Sequence, residues 1–165
     1  KGGCRMKKHT LSVLVANESG VLARIAGLFS RRGFNIDSLS VGRTENEDLS
    51  RITLVVAGDD RELEQVTKQL HKLVVVHKIS DLTDDEVVSR GLALIKVEST
   101  TKTRSEIMEV IDIFRAKIVD VSSNSLMVEI TGDEEKINAL EDLLKPYGIK
   151  ELVRTGKIAM ARGNK

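Results

Sequence analysis

The residues best placed to do chemistry are Asn17, Glu18, Ser19, Gly20, Val21 and Leu22. An alternating apolar run over residues 11–16 ends at Asn17, and a helical spacing of apolar residues runs over 21–32, so anything this stretch holds faces the first turn of a helix. The first N–H groups of a helix lack intrahelical partners and carry the positive end of the macrodipole, favouring a carboxylate or phosphate by about 0.3–2 kcal/mol. Gly20 has no Cβ, which lets a ligand come close to the backbone. Asn17 or Ser19 as an ordinary N-cap, with Gly20 easing the turn, explains the same residues without a ligand. The far end of the helix adds a second element, Arg32-Gly33-Phe34-Asn35-Ile36. Asn17 closes one strand and Asn35 opens the next, and each amide offers donors and an acceptor. With those two strands side by side at a sheet centre, helix-start N–H groups would take the carboxylate of a zwitterion, and amide or backbone carbonyl oxygens its ammonium. Asn35 as a strand-entry or left-handed residue after Gly33 is the competing explanation.

Other chemistry has little to stand on. His9, His71 and His77 are isolated in sequence, with no thiol or acid at metal-ligand or triad spacing, so neither a catalytic set nor a metal site is expected. Neither G-x-G-x-x-G nor G-x-x-x-x-G-K-[ST] occurs, which leaves nucleotide phosphates without a recognisable cradle. The carboxylates cluster as Asp59-Asp60, Asp84-Asp85-Glu86 and Asp133-Glu134-Glu135. The first and third fall at helix starts and the second in a linker, where solvation and dipole compensation account for them.

Composition narrows the partners. Formal net charge is +1 over 165 residues, with acids and bases interspersed, so no single-sign surface points to nucleic acid or to an anionic membrane. Phe29, Phe34, Phe114 and Tyr147 are too few to interleave with basic residues as a stacking platform. Apolar runs fall far short of the roughly 18 residues of a spanning helix. Residues 1–8 are basic but lead into an alternating strand instead of an apolar signal region, so a cytoplasmic protein is expected. Cys4, a single thiol, fits that compartment. Residues 1–5 read as added or leader sequence, with Met6 a natural start.

One supersecondary unit is repeated. Leu11, Val13 and Val15 alternate with Ser12, Leu14 and Ala16 as a strand, and Val21, Leu22, Ile25, Ala26, Leu28 and Phe29 form a helical face. Gly33 sits as the residue after a C-cap. A second strand begins at Phe34, and its period slips at Asp37-Ser38, predicting a bulge or bend. Residues 43–49 form a hairpin loop; Ile52, Leu54 and Val56 mark a third strand; Leu63, Val66, Leu70 and Leu73 a second helix; residues 74–79 a fourth strand. The charged stretch 81–90 reads as the domain boundary. The order then recurs: a strand over 92–97, a helix through Ile107, Val110, Ile111 and Phe114, a hairpin of 118–121 with 126–130, a helix capped by Asp133, a strand over 149–153, and a possible edge strand over 157–162. Each βαββαβ order implies two helices on one face of a four-stranded antiparallel sheet, the ferredoxin-like arrangement. A unit of roughly 75 residues is marginal alone and leaves sheet edges free, so dimerisation is expected.

The stretch from His9 to Leu22, the run Arg31-Arg32-Gly33-Phe34-Asn35-Ile36-Asp37-Ser38-Leu39-Ser40-Val41-Gly42, Leu49-Ser50-Arg51-Ile52-Thr53, and residues 63–73 resemble the ACT domain of the acetolactate synthase small, regulatory subunit. Residues 93–97, 113–121 and 154–163 resemble that family's C-terminal domain. The resemblance covers nearly the whole chain. It implies an α+β protein of two ferredoxin-like domains, an ACT domain over 8–82 and an ACT-like domain over 91–162. It also implies a chain without its own active site or cofactor, which binds the acetolactate synthase catalytic (large) subunit, where thiamine diphosphate, Mg and FAD belong. Such subunits activate that partner and confer feedback inhibition by branched-chain amino acids, chiefly valine. The effector lies between two ACT domains of a homodimer. Carried onto this chain, Asn17, Gly20, Val21 and Leu22 come from one protomer and Asn35 and Ile36 from the other. Gly42 stands where the family often has a larger residue, which would loosen one wall. The equivalent junction of the second half, residues 98–105, has no glycine, and no effector is expected there.

Two other readings compete. A stand-alone amino-acid-sensing regulator with two ACT-like units would not co-purify with a thiamine-dependent synthase. A small ferredoxin-like enzyme would need a paired nucleophile and base or a phosphate loop, and the sequence offers neither.

Overall fold

The protein was analysed as a computed structural model, which describes residues 7–163. Cys4 and the proposed start at Met6 lie outside the described residues. The described residues divide into two compact units, 7–88 with 158–163, and 89–157.

In the first unit the order is β1 (Lys7–Ala16), α1 (Val21–Arg31), β2 (Asn35–Arg43), β3 (Leu49–Gly58), α2 (Asp60–His71) and β4 (Val76–Asp81). The four strands form one antiparallel sheet in the order β2-β3-β1-β4. β1 and β2 are therefore not neighbours, contrary to the expectation from sequence: β3 lies between them and pairs with both. The apolar parity of β1 puts Leu11, Val13 and Val15 on the core face, opposite Leu54, Ile52 and Ser50 of β3. Val21, Ile25 and Phe29 of α1 and Leu63, Val66 and Leu70 of α2 close that core.

α1 ends where its residue types dictate. Gly33 adopts φ 78°, and Gly33 N–H donates to Ser30 C=O at 3.2 Å while Phe34 N–H donates to Phe29 C=O at 3.0 Å, the paired bonds of a Schellman cap. The accompanying apolar contact is also present. Phe29 and Phe34 meet edge to face, with centroids 5.7 Å apart and planes at 85°. The ring of Phe34 occupies the space a Cβ on Gly58 would need. The period slip in β2 is a bulge: pairing with β3 jumps from Ile36 to Ser38 and leaves Asp37 over.

The second unit repeats the order as β5 (Val87–Glu98), α3 (Arg104–Ile113), β6 (Lys117–Val121), β7 (Ser125–Gly132), α4 (Glu134–Leu144) and β8 (Ile149–Arg154), with strand order β6-β7-β5-β8. Its core is built on Ile95, Val97, Ile107, Ile111, Val128 and Leu140. Asp133 caps α4, its carboxylate accepting from Lys136 N–H at 2.9 Å. Tyr147 donates its hydroxyl to Glu106 at 3.0 Å, and that bond, with burial and the charges of Glu106 and Glu109, pushes the phenol above its ordinary value. The final strand, β9 (Ile158–Ala161), pairs with β5, whose Val87 and Val88 belong with it to the first unit.

Several element boundaries differ from the sequence pattern: β1 begins at Lys7, α2 ends at His71 and leaves Leu73 outside it, and β4 and β5 are displaced or extended. β4 starts at Val76 and runs to Asp81, because a turn in which Val76 N–H donates to Leu73 C=O takes up the preceding valines. β5 begins at Val87, so the last four residues of the charged stretch expected to be a linker, 87–90, are strand. Half-buried Val87 and Ser89 alternate with exposed Val88 and Arg90 there, a period of two that the residue types hide because an exposed position holds a valine and a half-buried one a serine.

Candidate functional site

β1 delivers the chain to its exit loop through three backbone contacts. Ala16 N–H donates to Val75 C=O, Asn17 N–H to Asp48 C=O, each at 2.8 Å, and Glu18 N–H to Ala16 C=O at 2.9 Å. Asn17 is committed to this scaffold: its Nδ2 donates to Glu47 C=O and its Oδ1 accepts from Ser50 Oγ, both at 3.2 Å. It ties the loop to the β2–β3 hairpin and retains one amide hydrogen and one lone pair.

The helix then begins at Gly20, not at Asn17 or Ser19. Gly20 occupies the N-cap with φ 81° and ψ −7°, and no side chain caps the helix. A left-handed N-cap is a reason for glycine independent of any ligand, since an L side chain there costs about 1–2 kcal/mol. The space beside it is nevertheless open, with nothing within 4 Å of where a Cβ would stand. The first intrahelical bond is Arg24 N–H to Gly20 C=O at 3.1 Å, so the N–H groups of Val21, Leu22 and Ala23 fall before the ladder starts. The first turn of α1 holds no acid. By contrast α2 is capped by Asp59 with Asp60 and Glu62 in its first turn, and α4 by Asp133 with Glu134 and Glu135. Val21 is buried in the core, while Leu22 is 37% exposed beside the free N–H groups.

Asn35 and Ile36 stand at the other end of the sheet. Asn35 is exposed and donates Nδ2 to Asp37 Oδ1 at 2.6 Å; Asp37 in turn lies 3.4 Å from Lys8 Nζ. Ile36 is half-buried and packs against the first core. Asn35 pairs with Ala57 near the end of β3 and Asn17 bonds to Asp48 just before its start, nine positions apart along the chain. At about 3.3 Å per strand residue that is roughly 30 Å. The two asparagines of one chain therefore do not form a joint site, which corrects the expectation drawn from adjacent strands. Gly42, on the exposed outer strand β2, has nothing within 4 Å of a would-be Cβ.

The corresponding junction of the second unit is built differently. Thr103 is the N-cap of α3 with an ordinary φ of −96°, and Thr100 and Thr103 bond to one another. Arg104 reaches Ser99 Oγ at 3.1 Å and Ser122 C=O at 2.9 Å across the loop.

The fold gives His9 a partner that spacing could not reveal. It is 2% exposed, with Nε2 3.3 Å from Gly58 C=O and 3.4 Å from Asp60 Oδ1. His71 and His77 are exposed. Among the described residues no group of three or more His, Cys, Asp or Glu is placed to hold a metal ion, and no helix is long and apolar enough to cross a membrane.

Comparison with known proteins agrees along the chain. Residues 11–78 match a family model described as an AHAS small subunit-like ACT domain, and residues 90–163 one described as the small subunit of acetolactate synthase. Over 158 residues the sequence is 60% identical to a probable acetolactate synthase small subunit of Archaeoglobus fulgidus, covering 96% of this chain and 99% of that one. Identity to the acetolactate synthase small subunit of Mycolicibacterium smegmatis is 56% over 155 residues, covering 94% and 91%. The crystal structure of the acetolactate synthase small subunit of Thermotoga maritima superposes with a TM-score of 0.88 at 43% identity, covering 97% of this chain and 100% of that one.

Proposed function

Because the chain belongs to the acetolactate synthase small subunit family, with an ACT domain in its first half, we propose that it is the non-catalytic regulatory subunit of a thiamine-diphosphate-dependent acetolactate synthase. On this reading it activates the catalytic large subunit and makes it subject to feedback inhibition by valine in branched-chain amino-acid biosynthesis. Thiamine diphosphate, Mg and FAD then belong to the catalytic partner. The observation that carries the effector site is the start of α1: N–H groups before the helical ladder, no capping side chain, no acid in the first turn, and an open approach at Gly20. Such a terminus suits a carboxylate, and exposed Leu22 beside it suits an aliphatic side chain.

Topology supports a site shared by two protomers. β2 is the outer strand of its sheet and pairs with β3 alone among the described strands, with Val41 46% exposed. β1 and β2 both run antiparallel to β3, so α1 runs back between them, its start level with the end of β2 and its end level with the start of β2. When two β2 edges pair antiparallel about a twofold axis, the start of one β2 comes level with the start of the other protomer's α1. Asn35 and Ile36 of one protomer then reach Asn17, Gly20, Val21 and Leu22 of its partner, closing the distance that one chain cannot. The test is reconstitution with the cognate catalytic subunit. The chain alone is expected to make no acetolactate, to raise the catalytic subunit's rate when added, and to render that rate valine-sensitive; turnover by the chain alone, or no effect on the partner, overturns the reading.

A further inference from the structure

Away from the effector loops, the first unit carries a groove of about 520 Å3 between one face of α2 and the strands β1 and β4. It follows α2 from Asp60 to Lys68, about 12 Å of helix. Leu11, Leu63 and Ile79 give it an apolar lining. Its charges are unbalanced: Asp60, Glu64, Asp81 and Asp84 against Lys7 and Lys68. Lys68 and Glu64 pair with each other at 3.3 Å, and Asp60 lies 3.4 Å from His9, which also lines the groove, leaving Asp81 and Asp84 against Lys7. Asp84, exposed beyond the end of β4, makes no hydrogen bond or ion pair among the described residues.

We propose that this groove receives a basic, aliphatic-flanked segment of the catalytic subunit; the proposal rests on the regulatory-subunit reading. Charge complementarity selects the occupant. The acidic rim attracts a Lys or Arg head, and the apolar lining buries its methylene stem and a neighbouring aliphatic side chain. A trench of this length leaves a free amino acid largely in water, whereas a chain segment spans it. The groove is also clear of the homodimer edge. It lies on the β1–β4 side of a sheet ordered β2-β3-β1-β4, so pairing of β2 edges leaves it open.

The experiment titrates the full-length chain with the catalytic subunit at several salt concentrations, comparing wild type with the double variant Glu64→Lys/Asp84→Lys and the milder Glu64→Gln/Asp84→Asn. Charge reversal is expected to weaken association at least tenfold and flatten its salt dependence, with the neutral variant in between. Homodimer sedimentation and valine affinity are expected to stay at wild-type values, which also verifies folding. Association as tight and as salt-sensitive as wild type in both variants overturns the proposal. So does a loss of self-association without the partner, which would assign the groove to a second copy of this chain. If wild type itself does not bind the catalytic subunit, the regulatory reading fails and the groove proposal fails with it.

Discussion

At the scale of single residues, Gly20 and Asn35 are each held by local demands before any ligand is considered. Gly20 sits at φ 81°, so every substitution carries backbone strain, least for Asn and Asp, which tolerate the left-handed region. Gly20→Asp is expected to abolish valine inhibition while sparing activation, because its carboxylate competes for the N–H groups proposed to hold the effector's. Gly20→Asn imposes the same strain and similar bulk without the charge, and valine titrations of the two variants with the catalytic subunit separate the causes. Equal losses would assign the effect to sterics. Asn35→Ala is expected to weaken valine binding by about 1–3 kcal/mol in calorimetry, the usual cost of stranding hydrogen-bonding groups in a desolvated site. Asn35 also holds Asp37 at 2.6 Å, so Asp37→Ala serves as the control. A loss of the same size there would make Asn35 a brace for the bulge instead of a ligand contact.

Elements were legible in the sequence wherever a local rule governs them. The glycine after α1, the Asp133 cap and the slip at Asp37 each follow from a few adjacent residues, and each stands in the structure where the pattern put it. What local pattern missed is pairing across the chain. Residues 11–43 alone do not show that β3 inserts between β1 and β2, but the βαββαβ order does, because a split βαβ unit places a strand between the two that a helix joins; on that insertion depends the separation of Asn17 from Asn35. The His9–Asp60 contact was hidden because it joins residues far apart in the chain, and the start of β5 because Val88 and Ser89 mask its alternation. In the sequence Gly58 is only a glycine between a strand pattern and a helix pattern, yet its missing Cβ makes room for the ring of Phe34, which is 5% exposed. Gly58→Ala is therefore expected to destabilise the protein by about 1–3 kcal/mol through overpacking. Thermal unfolding measures it, and the cost should shrink in a Phe34→Leu background, since the two changes share one contact. An undiminished cost would point to the backbone of Gly58 instead.

For the whole molecule, a site shared between protomers ties ligand binding to assembly. Valine must then favour the dimer, by linkage. Sedimentation at concentrations near the dimer dissociation constant, with and without valine, is expected to show tighter association with it. An unchanged constant alongside proven binding would place the site within one protomer.

The separation of Asp48 from Ala57 along β3 and the residue before it also has a genetic consequence. If the effector site is shared as proposed, one chain holds its two halves at opposite ends of the sheet, and defects in different halves should complement one another. A Gly20→Asp protomer keeps a sound Asn35 half, and an Asn35→Ala protomer keeps a sound helix start. Each homodimer has both sites broken; a heterodimer has one wholly native site and one doubly damaged. Exchanging subunits between the two variants is expected to restore tight valine binding at roughly one site in four of an equal mixture, recovered function from two inactive parents that separate sites within single chains could not produce.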